Sequence, residues 1–204
     1  MESKGTFEDR ECEACSGTGK VKKRTKSAQA RMSRNKGNSN ELRVAKMIAE
    51  AIGLPYEQCR RTPNSGALIE RGDLRMSVEA LKRFPWFIEV KARESWEFHQ
   101  IFSKKVATSV RWEPIDWIAE AEHKAFSDAR NGFGDSTIHP VLLVLLRNHR
   151  VPLAMFHKSA LAPMAADLVA MRIDNYCVMP FESLLAYHSQ LVKNSLLAAE
   201  QVLA

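Results

Sequence analysis

Residues 84–92 constrain the fold more than any other part of the chain. They read Phe-Pro-Trp-Phe-Ile-Glu-Val-Lys-Ala, and this density of aromatic and β-branched residues predicts a β-strand. Successive side chains of a strand point to opposite faces, so Glu89 and Lys91 share one face while Ile88 and Val90 take the other. At a rise of about 3.3 Å per residue, the two charged side chains leave the backbone roughly 6.6 Å apart. They can therefore act on one phosphate group.

Another carboxylate, Asp73, stands sixteen residues before Glu89 and follows Gly72. Hard ions such as Mg²⁺ take oxygen ligands, and they need only one or two carboxylates because they keep several waters. Asp73 and Glu89 can form such a pair, for Mg²⁺ or Mn²⁺. Metal ions of this kind supply the hydroxide and the charge neutralisation that cleavage of a phosphodiester requires. Lys91 is a compact positive charge with three donors, and it suits the orientation of the attacking water or of a phosphate oxygen.

The competing interpretation is that Glu89 and Lys91 are an ordinary charged pair on the solvated face of an amphipathic strand. Taken alone, Glu-x-Lys indicates catalysis only weakly, because charged residues are common on exposed strand faces. The surrounding sequence decides between the two interpretations.

Those surroundings resemble the PD-(D/E)XK nuclease superfamily, in particular the Holliday-junction resolvases of archaea and phages. The matching segments are Lys-Gly-Asn-Ser-Asn-Glu at 36–41, Arg-Arg-Thr-Pro-Asn-Ser-Gly at 60–66, Gly-Asp at 72–73 and Glu-Val-Lys at 89–91. The likeness extends through residues 94–100, Trp117 and residues 140–146, and so covers about residues 36–156. One position departs from the pattern, since the superfamily usually has a proline where this chain has Gly72.

The resemblance implies roles for several residues besides the central Asp73, Glu89 and Lys91. Glu41 takes the place of the first acidic residue, although a carboxylate in the first turn of a helix is also a favourable partner for the helix dipole. Ser65 either contacts a phosphate or closes its turn. Gln100 either contacts DNA or belongs to the core, like the aromatic residues near it.

Basic residues point to a nucleic-acid partner. The net charge is +6 and the isoelectric point is near 9.2, which favours an anionic partner, and no lipidation signal or long basic amphipathic helix indicates a membrane. We expect a disordered arm that binds DNA phosphates without reading sequence, although a solvated tail or an expression-related leader has the same composition. The arm carries Lys20, Lys22, Lys23, Arg24, Lys26, Arg31, Arg34 and Lys36, and the strand that precedes Ser65 adds Arg60 and Arg61.

Cys12 and Cys15 form a Cys-x-x-Cys pair, and residues 12–19 resemble one repeat of the zinc module of DnaJ-type chaperones. A closed zinc site needs four ligands, so this pair lacks two. Cys59, Cys177, a histidine or a second subunit are the candidates for the other ligands. Zinc and a free pair of thiols remain equal alternatives.

The remaining pattern predicts an α/β domain at residues 39–204, which follows the arm at residues 1–38. We expect a restriction-endonuclease-like core, with a mixed central sheet of four or five strands flanked by helices. A helix capped by Ser39 or Asn40 ends before Gly53. A strand at 56–61, helices at 96–110 and 115–130, a hairpin of strands at 140–147 and 151–156, and a helix at 183–204 follow. Four aromatic residues belong to the core or stack on bases: Trp96, Phe98, Trp112 and Trp117.

These observations predict a metal-dependent DNA endonuclease that resolves Holliday junctions in recombination and repair. Because resolution requires two cuts at symmetry-related places, we expect a homodimer. The alternatives are a restriction-like or repair endonuclease on duplex or damaged DNA, and a non-catalytic zinc and DNA-binding module. The longest apolar run, at residues 141–146, is far shorter than the ~20 residues of a membrane helix, and no signal peptide opens the chain. The cytoplasm of a bacterium or of a phage-infected host is the expected location.

Overall fold

The structure is a computed structural model of the chain, and the part of the chain that it describes comprises residues 7–11, 18–22, 26–62, 72–92, 113–130, 138–147, 150–161, 169–173 and 175–203. The chain divides into two compact units, Met1–Ser39 and Asn40–Ala204. None of the helices within the described ranges combines the length and the apolar content that crossing a membrane demands.

The first unit contains a β-hairpin and the first part of a long helix. Strands β1 (Phe7–Glu11) and β2 (Thr18–Lys22) pair antiparallel, and β2 includes Lys20 and Lys22 of the basic arm. Helix α1 spans Lys26–Ala51. The prediction of a disordered arm is therefore wrong for the part of the arm that the structure describes: Lys20 and Lys22 are strand residues, and Lys26, Arg31, Arg34 and Lys36 are helical residues. The physical reason is that good helix formers dominate residues 28–32, and neither proline nor a β-branched residue interrupts the helix between there and Glu41, although Gly37 and several Ser and Asn residues disfavour it.

The predicted helix start at Ser39 or Asn40 is also wrong. Both residues lie within α1, and the Ser39 hydroxyl donates to the Asn35 carbonyl one turn earlier, at 2.9 Å. The predicted helix end is confirmed. Gly53 has a left-handed φ of 65°, and the amides of Gly53 and Leu54 donate to the carbonyls of Glu50 and Ala49, which satisfies the last turn of α1.

The second unit is an α/β structure. After α1 come a 3-10 turn at Tyr56–Gln58 and then, in chain order, β3 (Cys59–Arg61), β4 (Leu74–Met76), α2 (Val78–Arg83), β5 (Phe87–Ala92), α3 (Glu113–Arg130), β6 (Val141–Leu146), β7 (Leu153–His157), a 3-10 turn at Lys158–Leu161, β8 (Met171–Ile173), β9 (Tyr176–Pro180) and α4 (Phe181–Leu203). The predicted helices at 115–130 and 183–204 correspond to α3 and α4 and are confirmed. Helix α2 and strands β8 and β9 had no counterpart in the sequence-based expectation.

The central sheet has five strands in the order β5-β6-β7-β9-β8. Strand β5 is parallel to β6, and all the other neighbours are antiparallel. A mixed sheet flanked by helices, as predicted, is consistent with a restriction-endonuclease-like fold. The expected hairpin is the β6-β7 pair. Strands β3 and β4 form a separate antiparallel pair, and the predicted strand at 56–61 is reduced to Cys59–Arg61 behind the 3-10 turn.

Both faces of the sheet are covered, which is why all six residues of β6 are buried. One face packs its side chains, among them Ile88 and Val90, with buried residues of α1 and α4. The opposite face packs with Ile118 and Ala121 of α3. The charged side of β5 therefore faces α3.

A buried histidine links α4 to the segment before β5. The Trp86 indole donates to Nε2 of His188 at 3.0 Å, so Nδ1 carries the proton and donates to the Arg83 carbonyl at 3.2 Å. Both ring nitrogens are thus used by the neutral imidazole. Burial lowers the pKa of His188 to about 4, although the bond to Arg83 acts in the opposite direction.

This histidine should make folding sensitive to acid. An unfolded histidine has a pKa near 6.5, so the unfolded chain binds the extra proton first and stability is lost as the pH falls from 6.5 towards 4. Between pH 7 and pH 5 the loss should be about 2 kcal/mol. Urea unfolding of the wild type and of His188→Gln, whose amide does not titrate, measures this contribution. If both proteins lose stability equally over this range, His188 is not buried in its neutral form.

Candidate active site

Three hydrogen bonds fix Asp73 beside the outer edge of β5. Its amide donates to the Ile88 carbonyl at 3.0 Å, and its carboxylate Oδ2 accepts from the Val90 amide at 2.7 Å. Its carbonyl accepts from the Thr62 amide at 2.9 Å. Because β5 is an edge strand of the central sheet, these backbone groups of Ile88 and Val90 are not used by another strand of that sheet. Asp73 therefore lies directly alongside Glu89.

Gly72 makes this close approach possible. Its φ is 61°, and a Cβ atom at this position would lie 2.6 Å from the Ile88 carbonyl oxygen and 3.2 Å from the Phe87 ring. Proline fixes φ near −65°, so the residue usual in the superfamily cannot adopt this conformation. Proline therefore does not fit the backbone at position 72 of this chain.

Glu89 is a buried charge. Only 3% of the residue is exposed, which contradicts the interpretation of a solvated strand face. Its Oε1 atom is 2.6 Å from Nζ of Lys91 and 3.6 Å from Nζ of Lys124 on α3. The first contact places Glu89 and Lys91 on one face of β5, as the alternation of the strand predicts. The second brings a residue to the site that the sequence did not suggest.

The two carboxylates influence each other. Burial and the negative charge of Glu89 raise the pKa of Asp73 to about 7, against the hydrogen bond from Val90 and the positive charge of Lys91. Burial lowers the pKa of Lys124, but the negative charges of Glu89, Glu120 and Asp73 and the hydrogen bond with Glu120 outweigh it, so the net shift is upward. The negative charges of the site thus repel one another near neutral pH, and a cation would relieve the repulsion.

The residues present fit a hard divalent cation. Asp73 and Glu89 provide two carboxylates at one place, and Mg²⁺ typically takes one or two while it keeps waters in its other positions. Across the described ranges, no group of three or more His, Cys, Asp or Glu side chains is arranged to hold a metal ion. A site closed entirely by protein ligands is therefore not found in that part of the chain.

Glu41 lies near this pair, on α1. Its Oε2 atom is 2.6 Å from Nε of Arg61, and its negative charge contributes to the raised pKa of Asp73. Because α1 begins at Lys26, Glu41 is far from the helix N-terminus, and its interpretation as a partner of the helix dipole is wrong. The structure instead gives it an ion pair with the basic strand β3.

Arg60 and Arg75 are directly opposite each other on β3 and β4, and both are exposed. Like charges in this position repel, which costs a small amount of stability. Arg75 is two residues after Asp73, so the pair borders the carboxylates along the chain. Alternation from the buried Leu74 could have identified Arg75 as exposed, but its partner could not be known without the register.

The structure describes two of the predicted zinc ligands, Cys59 and Cys177, and does not describe Cys12 and Cys15. Cys59 and Cys177 are completely buried in the core of the second unit, and burial raises the pKa of both thiols. Within the residues that the structure describes, neither thiol belongs to a group of three or more His, Cys, Asp or Glu side chains that could hold a metal ion. Cys12 and Cys15 lie outside the described residues. So do Ser65, Gln100, Lys23, Arg24, Trp96, Phe98, Trp112 and the predicted helix at 96–110.

The α/β core with its mixed five-stranded sheet is consistent with a restriction-endonuclease-like fold. Comparison with protein families agrees, because residues 32–190 match the family described as "Phage putative PDDEXK endonuclease". The chain belongs to this endonuclease family. The match includes Glu41, Asp73, Glu89, Lys91 and Lys124, but not the N-terminal hairpin. No curated protein and no solved structure matches the chain.

Two glycine substitutions distinguish the effect of displacing Asp73 from the effect of backbone strain alone. Gly53 and Gly72 both have left-handed φ angles, so alanine at either should cost roughly 1–2 kcal/mol in backbone conformation. At Gly53 the nearest atom to an added Cβ is the end of the Arg83 side chain, at 4.0 Å. Only Gly72→Ala also meets the β5 backbone. Gly72→Ala should therefore reduce nuclease activity at least tenfold more than Gly53→Ala does. Nuclease assays measure the activity, and melting temperatures measure the loss of stability in each variant. An equal reduction of activity in both variants would contradict the proposed role of Gly72.

Proposed function

We propose that the protein is a Mg²⁺-dependent DNA endonuclease in which Asp73 and Glu89 hold the metal, with Mn²⁺ able to replace it. The observation that supports this most is the Asp73 carboxylate, which is hydrogen-bonded to the strand segment that carries Glu89 and Lys91. Membership of an endonuclease family supports the same reaction class.

The residues divide the chemistry among them. A divalent cation supplies hydroxide at neutral pH and neutralises charge on the phosphoryl group. Lys91 would orient the attacking water or hold a phosphate oxygen, because its ammonium group lies beside Glu89, one of the two residues that would hold the cation. Glu41 acts from outside the ligand pair. Its ion pair holds the Arg61 guanidinium in place, where the guanidinium is a planar donor for phosphate.

Removal of either ligand should abolish cleavage and leave DNA binding nearly intact. Asp73→Asn and Glu89→Gln keep the size of the side chain but remove its negative charge, while the basic surface is unchanged. We expect the cleavage rate at saturating Mg²⁺ to fall at least about a hundredfold, because several kcal/mol of transition-state stabilisation disappear with the ligand. Glu50→Gln, on the exposed side of α1, is the control and should cut normally. A ligand variant that retains more than a hundredth of the wild-type rate would refute the assignment.

DNA binding is proposed to use the basic residues of both units. In the first unit these are the exposed Arg31 of α1 and the other basic residues of the arm, Arg34 among them. In the second unit they are Arg60 and Arg75, whose mutual repulsion a DNA phosphate would relieve. Such interactions add affinity without sequence specificity.

The arginine pair gives a quantitative prediction. The double substitution Arg60→Ala and Arg75→Ala should weaken binding to every DNA sequence. It should also reduce the slope of log affinity against log salt by roughly 0.9 for each DNA phosphate that the arginines neutralise in the wild type. Arg172→Ala is the matched control, because Arg172 is an exposed strand arginine on β8, at the opposite edge of the sheet from β5. Equal slopes for the double variant and the control would exclude the pair from the DNA interface.

Branched DNA is the proposed substrate, on the strength of the sequence likeness to Holliday-junction resolvases. Two symmetric cuts require two sets of Asp73, Glu89 and Lys91, so the proposed working form is a homodimer with two-fold symmetry. The exposed leucines of α4, Leu191, Leu196 and Leu197, are candidates for its interface. Zinc at Cys12 and Cys15 is proposed as a separate structural feature of the N-terminal unit. Elemental analysis of the full-length protein tests this proposal.

A panel of substrates tests this specificity. With Mg²⁺, four-way junctions should be cut faster than three-way, flap, linear duplex and single-stranded DNA, and a supercoiled cruciform plasmid should yield linear product. Light scattering of the DNA complex should give the mass of a dimer. Preference for linear duplex, or accumulation of nicked circles alone, would indicate instead a restriction-like or repair endonuclease. No cleavage of any substrate would favour a non-catalytic DNA-binding module.

A further inference from the structure

Lys124 brings a second ammonium group to Glu89 from a different element of the fold. Lys91 already makes the close contact with Oε1, at 2.6 Å. Lys124 approaches the same oxygen at 3.6 Å, too far for a hydrogen bond, and its shorter contact is with Oε1 of Glu120 at 3.1 Å. The charge of Glu89 is thus shared between two lysines, only one of which is tightly bound.

Exposure orders these side chains from the interior towards solvent. The side chain of Glu89 is 5% exposed, that of Lys91 is 25% exposed and that of Lys124 is 44% exposed. DNA is far too large to enter the core and must approach the carboxylates from solvent. Of the two lysines beside Glu89, Lys124 is the more accessible from solvent.

We propose that Lys124 is a second phosphate-binding lysine of this site, an inference that rests on the proposed function. Lys124 leaves Glu89 when a divalent cation binds there, and it then contacts the scissile phosphate. In the absence of metal, Lys124 partly balances the buried carboxylate. When the cation provides that balance, the ammonium group is no longer needed at Glu89, and its flexible stem lets it move to an anion nearby. Glu120 keeps Lys124 over the site through the i,i+4 pair on α3.

This role predicts two effects of opposite direction. Lys124→Gln removes a cation that competes for Glu89, so the variant should bind Mg²⁺ several times more tightly, as measured by calorimetry without DNA. The same variant should cut DNA about tenfold more slowly at saturating Mg²⁺, and Lys124→Arg should recover most of the rate. Lys82→Gln, which alters a helical lysine paired with Glu79, is the control and should change neither quantity.

Other results would overturn the proposal. Weaker Mg²⁺ binding by Lys124→Gln would show that Lys124 only holds Glu89 in position. Normal cleavage at saturating Mg²⁺ would show that it does not contact the phosphate. If the wild type cuts no DNA at all, the proposed function fails instead. The Mg²⁺ titration, with Asp73→Asn as the variant lacking a ligand, would still decide whether Lys124 competes with a cation at Glu89.

Discussion

The hydrogen bond from the Val90 amide to the Asp73 carboxylate is the interaction on which the site depends. It joins a residue before β4 to the strand that carries Glu89 and Lys91, and the amide of Asp73 adds a second bond to the same strand. Since β5 is an edge strand of the central sheet, its outer backbone groups are available for this purpose. The unpaired backbone groups of an edge strand commonly promote aggregation, and here they instead hold a side chain of the candidate site.

In the absence of metal, the arrangement of the carboxylates costs free energy of folding. Two carboxylates lie close together with limited access to water, and the pKa of Asp73 rises accordingly. Lys91 and Lys124 reduce this cost without removing it, whereas the negative charge of Glu41 adds to it. Perturbed pKa values cluster at functional sites, where burial and neighbouring like charges shift them, and they also occur in structural ion-pair networks.

Much of the site could be predicted from local pattern, and the rest depends on tertiary structure. The alternation of β5 correctly placed Glu89 and Lys91 together, and Gly53 correctly ended α1. The burial of Glu89 could not be predicted, because it results from the packing of α3 on that face. The role of Gly72 was equally hidden, since it depends on the distance to the Ile88 carbonyl. Lys124 was missed because nothing local indicates which strand α3 covers. The helix start failed for a simpler reason: Ser39 and Asn40 are good caps, but no residue before them stops the helix.

A crystal structure with Mn²⁺ provides the most direct test of the central claim, because the anomalous signal of the metal locates it independently of any activity. We expect an anomalous peak between the carboxylates of Asp73 and Glu89, and crystals of Asp73→Asn prepared with Mn²⁺ in the same way should lack it. Density for Mn²⁺ elsewhere in the protein, or none at this pair of carboxylates at a saturating concentration, would contradict the assignment of Asp73 and Glu89 as the metal ligands.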